Sequence, residues 1–390
     1  MKNSLRMTIL AAAVWAAVAP AGAWLPFEVF PSADEQQSPD IDGNTVVWQQ
    51  LITYQGNADW DIYGADISDP ASPQVFAIAN YPNDEQNPAI QGDFVAWEDN
   101  YYGDWDIYFR DISQSGRREV LLTNLPYDQT NPAVYGNMIV WQDNTYGDWD
   151  IAGANVIDPN SLFYIASFPD YDQTNCTIYR DMLVWQDNDI GLSNPKGKWN
   201  IVGADILRLD KPKWYELVLS AEDKVNVAIA GDYIVWQELA GTDWDLWAAD
   251  ITNPDEPQLL PIAVGSGTSM NPDIDGNIIV WQDDLNGDWD VYGYNLTTRE
   301  EFIISDNQPG QQVFSDQTNP RISGRTVVWQ DNLGGAWGVY AVVLDGPEAA
   351  RRQARLPGDA DGNGVVNMAD LALVAQSWLT CNLDPVTACP

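Results

Sequence analysis

Between Asp359 and Asp370, oxygen-bearing side chains recur at a spacing suited to a hard divalent cation. Asp359, Asp361, Asn363, Asn367 and Asp370 occupy positions 1, 3, 5, 9 and 12 of a twelve-residue loop. The backbone carbonyl of Val365 supplies position 7, and Gly364 stands at position 6, where the chain must turn sharply. Calcium takes roughly six to eight oxygen ligands from such a loop. The segment is therefore expected to bind Ca2+, with Leu371 to Leu379 continuing as an amphipathic helix. Cys381 and Cys389 lie close together behind it and are expected to pair in an oxidising compartment.

A second group of residues could bind a ligand. Asp99, Tyr101 and Tyr102 share one polar loop, Asp143 and Tyr146 another, and Asp283 and Asp284 a third. Two loops depart from the pattern by being longer. Leu51 to Ala58 carries Tyr54, and Asp189 to Lys198 carries Lys196 and Lys198. Acids beside aromatic rings suit a carbohydrate, whose faces stack on rings, and suit a basic peptide equally. A plainer reading is that Asp and Asn cap tight turns through nearby backbone N–H groups. Catalysis is narrowed by composition, because the chain has no histidine. Ser-His-Asp and Cys-His mechanisms and imidazole-held metals are excluded. The expectation is a non-catalytic binder of polysaccharide or protein. The alternatives are a polysaccharide-degrading enzyme using paired carboxylates and a cell-envelope interaction scaffold.

These loops hang on a unit written seven times. Its core reads V-V-W-Q-D, a short polar loop, then D-W-D-I-Y-G. The first tryptophan falls at Trp48, Trp97, Trp141, Trp185, Trp236, Trp281 and Trp329, a spacing of 44 to 51 residues. The second falls at Trp60, Trp105, Trp149, Trp199, Trp244, Trp289 and Trp337. That spacing is the length of a four-stranded propeller blade. Gly turns such as Gly136-Asn137 join the first two strands of each copy, with Arg180 in place of glycine once. A single blade cannot bury both faces, but a closed ring of blades can. The tryptophans are then wedges between blades. The seventh copy ends after its third strand, while Phe27 to Phe30 matches the fourth strand of another copy. The fold class is therefore all-β, a seven-bladed β-propeller closed by an N-terminal outer strand, with a small C-terminal EF-hand-like helical module.

The repeat resembles the TolB-type, WD-like propeller repeat over residues 24 to 346. The run G-D-A-D-G-N-G-V-V-N-M-A-D-L resembles a single dockerin type I repeat. That second resemblance implies docking to a cohesin-like module.

The ends and the charge complete the reading. Lys2 and Arg6, the apolar Met7 to Val18, and Ala21-Gly22-Ala23 form an export signal, too short to span a membrane. The organisation is thus a signal peptide at 1–23, a propeller at 24–346, a linker at 347–357 and a calcium module at 358–390. The net charge of −39 disfavours nucleic acid and anionic lipid. The expected product is exported, inserts in no membrane, and meets polysaccharide, protein or a cohesin-like partner.

Overall fold

The computed structural model describes residues 24, 26–54, 56–113, 116, 118–188, 197–265, 267–285, 287–305 and 315–344. The expected calcium loop, Cys381 and Cys389, residues 347–357, the expected export signal and Lys196 lie outside the described residues. Residues Pro26–Leu344 form one compact unit of seven four-stranded antiparallel sheets.

Blade 3 shows how the repeat makes a sheet. Its strands are Gln129–Tyr135, Met138–Asp143, Asp150–Asn155 and Asp158–Ala166. The hairpin between the first two turns on Gly136 at φ 58°, a left-handed backbone that costs glycine little. The second strand alternates sides in a fully buried setting, so β-branched and aromatic residues fill both faces. Trp141 at its centre is fully buried, as are its six counterparts. The second tryptophan of each copy is half-buried. In six copies it acts as a strut, because its backbone N–H donates to an acid that opens the next blade, whereas in blade 5 Thr268 stands in the acid's place and Trp244 lies opposite Leu239. Trp105 reaches Asp128 Oδ1 at 3.1 Å, and Trp149 reaches Asp172 Oδ1 at 3.1 Å.

The inner strand of each blade lies beside the inner strand of the next, and that of blade 7, Gln317–Ser323, lies beside that of blade 1, Gln36–Asp42. The ring is closed as the sequence predicts. Phe27–Glu28 is the outer strand of blade 7, with Phe27 opposite Ala341 and Glu28 opposite Tyr340. Val29 N–H adds a bond of 2.8 Å to the Val339 carbonyl. Phe27, Val29 and Phe30 pack against the cluster around Trp48, so the clasp is held by apolar burial as well as pairing.

One expectation needs correction. Leu51 to Ala58 is not a long loop. The second and third strands of blade 1 run on as Thr45–Tyr54 and Asn57–Asp66, with Leu51 opposite Trp60 and Tyr54 opposite Asn57. The alternating, β-branched run Leu-Ile-Thr-Tyr favours continued pairing up to a tight turn at Gly56.

Candidate functional site

The loops between second and third strands share one face of the ring with the links that enter each blade. On that face the predicted acids are largely spent inside the protein. Asp99, Asp143 and Asp283 are buried, and each caps a turn two residues on. The N–H groups of Tyr101, Thr145 and Leu285 donate to them at 2.8, 2.8 and 2.9 Å. Asp143 and Asp283 also accept the indole N–H of Trp141 and Trp281, at 3.4 and 3.2 Å. Asp284 accepts the Thr268 N–H at 2.6 Å. Lys198 is paired with Asp223 at 2.8 Å. The rings remain available. Tyr101 and Tyr102 stand exposed and edge to face with centroids 5.0 Å apart, and Tyr146, 69% exposed, leans on Tyr164 at 5.7 Å. Tyr54 ends the second strand of blade 1. Tyr101, Tyr102 and Tyr146 belong to neighbouring blades 2 and 3, whereas Lys198 and Asp283 belong to blades 4 and 6.

A second site lies on the ring axis. Each inner strand carries a bulge in which two residues oppose one, as between Thr130 and Ala133 in blade 3. The first bulged residue is Ser38, Asn87, Asn131, Asn175, Asn226, Asn271 or Asn319, all with φ between 49° and 54°. Asparagine tolerates this left-handed backbone better than most residues. Around the axis these residues build a belt. The Asn175 N–H donates to Gln142 Oε1 of the preceding blade at 3.1 Å, while Asn175 Nδ2 donates to Gln186 Oε1 of its own blade at 3.0 Å. Its second amide hydrogen goes to Asn226 Oδ1 at 3.2 Å. The Asn-to-Asn links run Asn131, Asn175, Asn226, Asn271, Asn319. From Asn131 to Asn271 both amide hydrogens are used within the belt, and Asn319 gives one to Gln330 Oε1 at 3.2 Å, so the run serves as a structural girdle.

The girdle surrounds a cavity of about 450 Å³. Its chemistry is set two residues beyond each Asn or Ser, at Asp40, Ala89, Ala133, Thr177, Ala228, Asp273 and Arg321. Four of the seven are small. Three adjoining blades, 6, 7 and 1, supply the series Asp273, Arg321, Asp40. Asp40 Oδ2 accepts the Ile90 N–H at 2.8 Å, and Asp273 Oδ2 accepts the Ile322 N–H at 2.8 Å, so each also ties its blade to the next. Burial pushes the Asp40 carboxyl up to about 7, against the opposing pull of Arg321. Burial raises Asp273 as well, again offset by Arg321. The guanidinium donates to the Pro320 carbonyl (Nη1···O 2.9 Å) and acts on the two acids through space.

Sequence reasoning passes over this trio. The signal was present in the departures from Asn-Pro-Ala: Pro39-Asp40, Pro272-Asp273 and Pro320-Arg321. Blade 2 departs from the repeat too. Glu85 and Glu98 stand where blade 3 has Gln129 and Gln142. Burial first, and then Asp99, pushes Glu85 up to about 9, and burial pushes Glu98 to about 7.

No family model matches the chain. No curated protein matches it either. Solved structures do match in fold. The β-propeller domain of the trilobed protease from Pyrococcus furiosus, described with an open velcro topology, aligns at TM-score 0.61 and 10% identity over 79% of this chain and 95% of that one. A prolyl endopeptidase, studied for inter-domain dynamics in catalysis and specificity, aligns at TM-score 0.62 and 11% identity over 81% of this chain and 47% of that one. The uncomplexed acylaminoacyl peptidase from Pyrococcus horikoshii aligns at TM-score 0.57 and 9% identity, over 82% and 54%. The chain spans about half the length of these last two peptidases. At such identities the likeness shows the fold. The expectation of a non-catalytic polysaccharide binder is corrected, because the matching propellers are parts of peptidases. The buried turn-capping roles of Asp99, Asp143 and Asp283 remove the acids on which a sugar site was to rest.

Proposed function

We propose that this chain is a peptidase-associated propeller, which admits unfolded polypeptide to its loop face and axial cavity. The observation that carries the reading is the ring-enclosed polar cavity with charges on one wall, in a fold shared with propellers of peptidases. With no histidine, a Ser-His-Asp triad cannot be built from this chain alone, so its part is to receive peptide. Tyr101, Tyr102 and Tyr146 offer exposed stacking surface on the loop face. The test is fluorescence anisotropy with labelled unstructured decapeptides, a labelled folded protein and labelled oligosaccharides. Binding of the peptides alone is expected. Retention of oligosaccharide without peptide would overturn the reading.

Two further parts of the reading rest on sequence. Asp359, Asp361, Asn363, Val365, Asn367 and Asp370 are proposed as a Ca2+ loop of dockerin type I character, with a cohesin-like module as the implied partner. Calorimetric titration of the chelator-stripped full chain should show one saturable Ca2+ site, lost in Asp359→Ala and in Asp370→Ala. The basic, apolar and small-residue order of residues 1–23 supports export, checked by the N-terminal sequence of the secreted product.

A further inference from the structure

The axial cavity is the most asymmetric feature of a nearly seven-fold ring. Four blades present Ala89, Ala133, Thr177 and Ala228 to it, while three consecutive blades present Asp273, Arg321 and Asp40. A ring that needed only packing could repeat alanine. The charges also exceed what stapling requires, since the backbone groups of Ile90 and Ile41 at Asp40, and of Ile322 and Ile274 at Asp273, leave acceptor sites unused on a carboxylate that has about four. With both acids ionised, the arc carries one more negative than positive charge. The small residues opposite leave open volume against it.

We propose that this arc binds a primary ammonium group, held by Asp40 and Asp273, with Arg321 keeping the pair from excluding its guest. The proposal rests on the peptide-receiving reading and names the chemical handle that the axial site takes. An ammonium has three donors and no acceptor, matching the acceptor sites that the backbone leaves on the two carboxylates. Enclosure strengthens the attraction relative to bulk water. Arg321 favours the ionised form of both acids, so the site remains charged near neutral pH. The ammonium can come from a peptide N-terminus or from a lysine side chain.

Three labelled probes separate these sources: a tetra-alanine peptide amide with a free N-terminus, its N-acetylated form, and an N-acetylated form with one lysine. Anisotropy titrations at pH 7.5 are expected to give at least tenfold tighter binding for an ammonium-bearing probe than for the acetylated control. The free-terminus and lysine probes identify the source. Asp40→Asn and Asp273→Asn should each remove most of that difference, and each retains an oxygen for the neighbouring N–H. Arg321→Met should weaken ammonium binding at pH 7.5, because both acids then hold their protons to higher pH. The charged groups facing Asp40 are Arg321 and Asp273, and Asp275 adds repulsion at Asp273. Asp40 ionises as pH rises through about 7, so binding of the lysine probe should strengthen from pH 6 to 8. The α-amine itself titrates near ~8, so the free-terminus probe should weaken above that. Equal binding of the acetylated control would overturn the inference while leaving the peptide-receiving reading intact. Binding of no probe and no decapeptide would end both. Should an Asn variant fail to fold, the acetylation comparison on the unaltered protein decides.

Discussion

Blades 2 and 3 are neighbours on the same repeat, yet two buried positions differ. In blade 3, Gln129 Nε2 donates to the Tyr127 carbonyl at 2.9 Å. Gln142 Oε1 accepts from the Asn175 N–H and Asn131 Nδ2, at 3.1 and 3.2 Å. In blade 2, Glu98 Oε1 does the same for the Asn131 N–H and Asn87 Nδ2, at 2.7 and 3.0 Å. Glu85 is met by a different local arrangement, in which Asn83 Nδ2 donates to it at 2.8 Å and to Asp99 at 2.7 Å. The same fold is thus reached with amide or carboxyl. The girdle needs an oxygen acceptor at this point, and a carboxyl that holds its proton supplies one with the shape of glutamine. The difference falls on the pH dependence of stability rather than on geometry.

The largest effect should be common to both blades. Trp97 and Trp141 are both fully buried between sheets. Trp97→Ala and Trp141→Ala should each lose about 3–5 kcal/mol in urea unfolding. A large inequality would break the claim that the two blades are packed alike.

The next effect should separate them. Glu98 has a folded value near 7 against an ordinary 4.5, raised mainly by burial. The folded state therefore binds more protons than the unfolded chain between those values. Its contribution is fully present below about 4.5 and is lost as pH rises through about 7. Glu98→Gln should remove this loss and stabilise the protein at pH 8 by on the order of 3 kcal/mol, with little change at pH 4.5. Gln142→Glu should install the same pH dependence in blade 3. Unfolding curves at the two pH values check both, and a pH-independent result for Glu98→Gln would remove the proton from the account.

A smaller pair tests whether the blades differ anywhere else. Gly92 and Gly136 close equivalent hairpins at φ 59° and 58°. Substitution by alanine should cost about 1 kcal/mol at either site, through backbone strain alone.

Much of the fold was legible because its constraints repeat. Paired tryptophans, Gly turns and the match of Phe27 to Phe30 with another copy's outer strand announce seven blades and the clasp. The axial trio was not legible in the same way. Asp40, Asp273 and Arg321 read as ordinary polar letters in a strand until the bulge at Ser38, Asn271 and Asn319 aims them inward. Nor does the sequence of Asp99, Asp143 and Asp283 distinguish a cap from a ligand contact. Only burial and hydrogen bonding decide it. The blade 1 hairpin was misread because its polar tip has a loop's composition, while the alternation beneath it is that of a strand.

The smallest effect on stability should carry the most information on function. Tyr101 rests on Tyr102 in blade 2, and Tyr146 on Tyr164 in blade 3, whose hydroxyl reaches Asp143 at 3.3 Å. Both outer rings are largely exposed, so Tyr101→Ala and Tyr146→Ala should shift stability by less than about 0.5 kcal/mol. If polypeptide crosses this face on its way to the axis, each change should weaken decapeptide binding about three- to tenfold by removing a stacking platform. Their effects should then add, because the two rings sit on separate blades. Unchanged decapeptide binding in both variants, with binding still lost in Asp40→Asn, would confine the contact to the axial cavity. The aromatic rings would then be surface of the fold alone.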